Sequence, residues 1–436
     1  MASGADVRNG PVGALIHRCS PCQGGGPGLQ PCTGCHVIRY CCREHQMADI
    51  DGHMQTCHKI SMARAKLDHE DKLIRKPNPM YRVPSNVFET GVGYFWEIPR
   101  TRPYMRARLA LVMENLLPLG TLDSVREAHD HLGDMLRLCR MDTMAVREIL
   151  PCIMLRLDRD QECYDFLKWW AMCDIDHDWD DFTLPYLDIH GADALEQPGL
   201  FIDKRPSLNY LVAVLILKLK LLVDVLNTKI TRKVLAQRSI PTELHAQIQQ
   251  TVVRSPLSAD LYKHSHKALS ETEQTLLTQI CKLAVAITEL NPYFMFDLFD
   301  PDEAMVATLG TYSPGSVEET DRAIQYSYAT WWSTQGVLGL LESARDCAAR
   351  ASEGEIGELM AGDRFRKGAG SHRTPEQVLW DVSVNRLWGY LDFAIMDATY
   401  LGPWEERPSE VGIKMETEWD MELDQESESE WEGFSE

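Results

Sequence analysis

The residues best equipped for chemistry lie near the start of the chain. "CSPC" places Cys19 and Cys22, "CTGC" places Cys32 and Cys35, and "YCCREHQMADIDGHMQTC" adds Cys41, His45, His53 and Cys57. The spacing is C-x2-C, x9, C-x2-C, x5, C-x3-H, x7, H-x3-C, which gives eight sulfur and nitrogen ligands in four pairs. Eight such ligands match two tetrahedral zinc sites with no coordination position left open, the structural rather than the catalytic arrangement. A C-x2-C pair suits a tight knuckle whose thiolates converge on one ion. An x3 pair converges from adjacent turns of a helix. The segment has little apolar core, so metal binding is expected to drive its folding. Cys42 is an extra thiol beside Cys41 and is read as a non-ligand. His36 and His58 flank the set and are expected to be exposed, because the eight positions are already filled.

The order of pairs in "YCCREHQMADIDGHMQTC" and the two knuckles before it closely resembles the MYND zinc finger. The resemblance covers residues 19–57 and leaves the rest of the chain unmatched. It implies interleaved binding of two structural Zn2+ ions: Cys19, Cys22, Cys41 and His45 on one, and Cys32, Cys35, His53 and Cys57 on the other. It also implies a groove for short peptides, often proline-rich, beside Gln46 and Ile50. His45 stands where the family usually has Cys; imidazole remains a good zinc ligand. Ile50 stands where the family usually has a Trp that lines the groove, whereas Gln46 matches. The finger could serve partner binding or act only as a metal staple.

MYND fingers also occur inside SET-type lysine methyltransferases. That reading is disfavoured here: eighteen residues precede Cys19, no Asn-His pair follows, and strand signals are sparse. Phosphate-loop, H-E-x-x-H and G-x-S-x-G patterns are also missing. The expectation is therefore a non-enzymatic interaction protein, with an enzyme site in the helical body as the alternative.

The elements that must position the finger follow. Residues 60–76 read as a basic helix, and "PNPMYRVPSNVF" as part of a linker, together spanning 58–103. From about Tyr104 the pattern turns helical. Met105, Leu109, Val112, Met113 and Leu116 sit at helix spacing, as do Val125, Ala128, Leu132, Met135 and Cys139, and Leu276, Ile280, Leu283, Ala284 and Ile287. Four capping-box patterns mark helix starts: Ser124 with Glu127, Ser270 with Glu273, Ser316 with Glu319, and Thr374 with Gln377. In the last, Pro375 takes the first helical position. The fold class expected is a small interleaved two-zinc finger, then a large all-α domain over 104–402, with a loop at 351–373. That domain is either a helical bundle or a degenerate helical-repeat scaffold. "LRLDRDQECYDFLKWW" has weak tetratricopeptide-like character, but no repeat of about 34 residues recurs.

Composition sets the remaining bounds. Of a net charge of −21, residues 404–436 carry −11, so the segment 403–436 reads as a disordered acidic tail and 1–18 as a flexible lead. Trp419, Met421, Leu423, Trp431 and Phe434 punctuate that tail, which either solubilises or binds partners. An acidic body argues against nucleic acid, whose backbone needs clustered Lys and Arg. The apolar run Tyr210–Leu217 is too short for a membrane span of roughly 20 residues and reads as a buried helix. Without a secretory signal the expected location is cytoplasm or nucleus. "CDIDHDWDD" crowds Asp174, Asp176, Asp178, Asp180 and Asp181 around His177, but it lacks the Gly and Glu of a calcium loop and reads as a solvated acidic loop. The Trp pairs at 169–170 and 331–332 read as core or helix-face aromatics. The partner and the oligomeric state are not legible.

Overall fold

The computed structural model describes residues 13–78, 80, 83–173, 177–204, 207–237, 240–367 and 373–397. The acidic tail, and Asp174 and Asp176 of the acidic loop, lie outside the described residues. The chain divides into two compact units. One comprises residues up to 220 with 255–257 and 278–335; the other comprises 221–254, 258–277 and 336 onward.

The first unit begins with the finger. Strands β1 (Gln30–Pro31) and β2 (Arg39–Tyr40) pair antiparallel, Gln30 opposite Tyr40, and form the one sheet among the described residues. Two helices follow, α1 (Arg43–Ala48) and α2 (Ile50–Ile74). The expected basic helix is thus the far end of α2, which runs unbroken out of the finger. The expected linker is packed instead. Val87 and Phe95 are buried, and Phe88 and Phe95 meet Tyr104 edge to face. The Arg75 guanidinium lies 4.5 Å over the Phe88 ring. Prolines broke the helical pattern there, but the aromatics between them still found a core.

α2 packs against α3 (Arg102–Ala110) and the π-helical turn Leu111–Leu116 that continues it. That turn explains one misread stripe. Met105, Val112 and Leu116 are buried as expected, whereas Leu109 and Met113 are half-buried and Leu111 takes the core position. A π turn inserts an extra residue per turn and rotates the face. In α4 (Leu122–Leu138) the regular stripe holds: Val125, Ala128, Leu132, Met135 and Cys139 are all buried.

α5 (Leu150–Arg156) and α6 (Asp160–Met172) form the helical hairpin read from 155–170, with Asp158 in the turn at φ 56°. α7 (Leu208–Gln237) carries the apolar run and is buried from Leu208 to Thr228. Its interior cations have partners. Lys220 Nζ donates to Asp158 Oδ1 at 2.7 Å and Asp160 Oδ1 at 2.8 Å, and Lys218 Nζ donates to the carbonyls of Ala194 and Glu196. Among the described residues no helix is long and apolar enough to cross a membrane.

α8 (His266–Leu290) buries Leu276, Ile280, Leu283, Ala284 and Ile287. α9 (Val317–Ser333) places Trp331 in the first unit's core. The second unit contains α10 (Val337–Ser352), α11 (Ile356–Lys367) and α12 (Pro375–Arg386); α10 and α11 both pack on α12. The loop expected at 351–373 is therefore helical through Lys367. Its three described glycines, Gly354, Gly357 and Gly362, open onto empty space, so Gly there costs helix propensity without breaking a contact. Glu358 in the first turn of α11, and Arg364, Arg366 and Lys367 in the last, suit the helix dipole.

The capping patterns divide. Thr374 and Gln377 form a full reciprocal box, and Ser316 caps α9 from its hydroxyl. Ser124 and Ser270 instead lie inside helices. Thr121 caps α4 and Ser265 accepts from Ala268 N, because each offers a hydroxyl at the real start of its helix.

Candidate metal centre

The first knuckle is closed by its own backbone. Gln23 N donates to Cys19 O at 2.8 Å and Cys19 N to Gly24 O at 2.9 Å. In the second knuckle Cys32 N reaches Ile38 O at 2.7 Å and His36 N reaches Cys32 O at 2.9 Å. A Cβ on Gly34 would lie 2.6 Å from Cys57 Sγ, so only glycine lets the knuckle close on the ligands from α2. Cys41 stands just before α1 and His45 on its first turn. His53 and Cys57 share one face of α2. Tyr40 Oη donates to Asp49 Oδ2 at 2.8 Å and pins the joint between the two helices.

Two groups of four ligand atoms result, each gathered within 4.8 Å: Cys19, Cys22, Cys41 and His45, and Cys32, Cys35, His53 and Cys57. The interleaving implied by the resemblance is therefore what the geometry shows. Edges of a zinc tetrahedron are roughly 3.8 Å between sulfurs and 3.5 Å between sulfur and nitrogen. Here Cys22 and Cys41 Sγ are 3.9 Å apart, Cys32 and Cys57 Sγ 3.8 Å, Cys19 Sγ and His45 Nδ1 3.6 Å, and Cys35 Sγ and His53 Nε2 3.5 Å. His45 fills the place of the usual Cys through Nδ1. Cys42 Sγ lies 3.9 Å from Cys41 Sγ but outside both groups, as expected of a non-ligand. His36 and His58 are exposed.

The donor set fits a cation electrostatically. Burial opposes ionisation of Cys32, yet hydrogen bonds from the backbone of Cys35 and Gly34, then His53 and Cys57, bring its thiol down to about 6. Burial also opposes Cys19, but the backbone of Cys41 and Cys22 brings it to about 7. Their neighbours go the other way. Desolvation and the adjacent Cys32 sulfur push Cys57 up to about 11, and desolvation and Cys19 push Cys41 to about 12. Each group thus holds one ready thiolate and crowds the next. A divalent cation removes that repulsion and lets all the thiols deprotonate.

The second group backs a groove of about 810 Å³. Gln46 and Ile50 line it, with Met47, Met54, Pro31 and Arg43 among the others. Met47, Ile50 and Met54 are about half exposed, at 56%, 46% and 60%. The expected pair of groove residues thus faces one concavity.

Residues that the sequence did not single out fix the finger to α4. Arg39 grips Asp123 through Nε at 2.6 Å and Nη2 at 3.1 Å. Arg64 grips Glu127 at 3.1 and 2.5 Å, and its Nη1 donates to Cys35 O at 2.5 Å. Thr121 Oγ1, the cap of α4, donates to Val37 O at 2.7 Å. Burial alone would raise Glu127, but hydrogen bonds from His131 and Arg64 hold its carboxyl below the usual range. These pairs lie 63 and 84 positions apart in sequence, where no local spacing rule reaches.

Among the described residues the other sequence candidates do not converge on a site. Asp178 and Asp181 accept from backbone N–H two residues on, in their own turns. His177 packs against Trp169 and Trp179, with ring centroids 5.9 and 4.5 Å away. Trp169 and Trp170 are buried, as is Trp331.

Residues 19–57 match the family model of the MYND finger. No curated protein and no solved structure matches the chain. MYND fingers are protein–protein interaction modules. Residues 19–57 are thus a MYND finger whose eight ligands fit two structural zinc ions.

Proposed function

We propose that this is a non-enzymatic adaptor or regulatory protein whose finger binds a short peptide motif in the groove beside Gln46 and Ile50. The observation that carries the reading is the exposed apolar wall of Met47, Ile50 and Met54, set beside the polar Gln46 and Arg43. Apolar walls with a few placed polar groups are the usual make-up of a recognition groove, and methionines adapt to varied ligands. Proline-rich motifs come first because Gln46 is kept. Ile50 supplies aliphatic contact where an aromatic platform would otherwise hold a polyproline helix. Six of the thirteen cysteines are committed to the two metal clusters, a use of thiols that suits a reducing compartment such as cytoplasm or nucleus.

Selection of short peptides from a displayed library on the full-length protein tests this. The selected motif should bind at least about tenfold more weakly to Ile50→Asp, a loss of roughly 1.4 kcal/mol, with zinc content unchanged. Equal binding by the variant, or no selection above the chelated protein, contradicts the proposal.

A further inference from the structure

The two zinc sites are tied to the rest of the first unit in different ways. In the first, Cys22 and Cys41 are exposed, and the Cys19 carbonyl accepts from Gln23 within the knuckle. In the second, Cys35 is fully buried and its carbonyl accepts from Arg64. Arg64 follows Cys57 by seven residues and His53 by eleven on α2, so all three share one helix face. A zinc ion would join α2 to the Cys35 loop through His53 and Cys57. Arg64 joins the same two segments through a hydrogen bond, and its remaining donors grip Glu127 of α4. Alternate residues beyond Cys35 repeat the attachment: Val37 O takes the cap hydroxyl of Thr121, and Arg39 takes Asp123.

We propose that Arg64 is a positioning residue for the second zinc site and couples that site to the first turns of α4. The coupling is reciprocal, as linkage requires. Zinc at Cys32, Cys35, His53 and Cys57 holds the Cys35–Arg39 stretch in place to anchor the start of α4, and the α4 carboxylates hold Arg64 in place to support Cys35. Partners behind metal ligands commonly tune affinity in this way. Among the described residues the first site's attachment is a backbone one, Ser20 N on Arg39 O at 3.0 Å, with no side chain of α2 on a ligand carbonyl, and it loses its ion first. The inference rests on the zinc assignment and is independent of the peptide reading.

The test follows zinc release from the full-length protein to a colorimetric chelator, with parallel thiol alkylation mapped by mass spectrometry. Wild type should release zinc in two phases, with Cys22 and Cys41 alkylated before Cys35 and Cys57. Arg64→Ala should speed the slow phase about tenfold, the scale of a lost charge-assisted hydrogen bond, and leave the fast phase unchanged. Glu127→Gln keeps the side-chain volume and should act in the same direction with a smaller effect. Combining Arg64→Ala with Glu127→Ala should add little to the worse single variant. Amide exchange across residues 122–128 should rise when the second zinc leaves wild type, and should already be high in Arg64→Ala. A slow phase that neither variant changes overturns the proposal, as does equal acceleration of both phases. If Arg64→Ala does not fold, the slow phase of Glu127→Gln decides alone.

Discussion

The finger and the helical body solve the same problem with different materials. In the finger, the buried apolar residues are little more than Leu29, Val37, Tyr40 and three ligand cysteines. In α7 alone, a continuous series from Leu208 to Leu226 is buried. The finger replaces a core with two clusters of thiolate and imidazole, so its stability is bound to metal. The body is held by packed aliphatic side chains instead. The difference teaches where each part is vulnerable: one to chelation and thiol loss, the other to cavities and unpaired buried charge.

That contrast can be broken or sharpened by experiment. The largest effect expected is chelation. Structural zinc in such modules is worth on the order of 10 kcal/mol, so removing it should abolish amide protection over residues 19–57 and preserve it in α7. Simultaneous loss in both would show that the body also depends on metal.

Next is Lys220→Met in the body. Asp160 is fully buried and faces Lys220, so the substitution strands a carboxylate and should cost about 3–5 kcal/mol in denaturant unfolding. Zinc content should not change. A loss below about 1 kcal/mol would mean that Asp160 finds water or a proton.

A pH effect comes from Asp142. Burial, only partly offset by the backbone N–H groups of Arg147 and Val146, pushes its carboxyl up to about 7. Its folded pKa lies above the unfolded value of about 3.9, so its contribution is full below that value and is lost as pH rises through about 7. Between pH 4 and 7 the stability slope of Asp142→Asn should be less negative than that of wild type; identical slopes would contradict this. Smallest is Thr374→Ala. It removes a complete capping box and should cost about 1 kcal/mol, read as a lower melting temperature with zinc unchanged.

How far these features were legible depends on the range of the signal. Ligand spacing is a local code, and it marked all eight positions that the two clusters gather, whereas Gln46 and Ile50 came from the resemblance. Helical periodicity gave the core of α4 and α8. It failed at Met113, where a π turn rotates the face without marking the sequence, and at Leu109 just ahead of that turn. Capping patterns succeeded at Thr374 and Ser316. They misplaced Ser124 and Ser270, where a nearby hydroxyl starts the helix first. Glycine content suggested a loop where charged ends and helix formers sustain α11. The clamp of Arg39 and Arg64 on α4 was invisible, because it depends on tertiary proximity alone. A weak helix–turn–helix pattern did locate α5 and α6, but not Lys220, which completes their turn from α7.

The most direct test of the account is the metal content of the purified full-length protein, compared with Cys41→Ser and Cys42→Ser. The geometry predicts two zinc ions per chain, one fewer in Cys41→Ser, and two in Cys42→Ser. Zero or one in wild type, or equal losses in the two variants, would contradict the paired, interleaved sites.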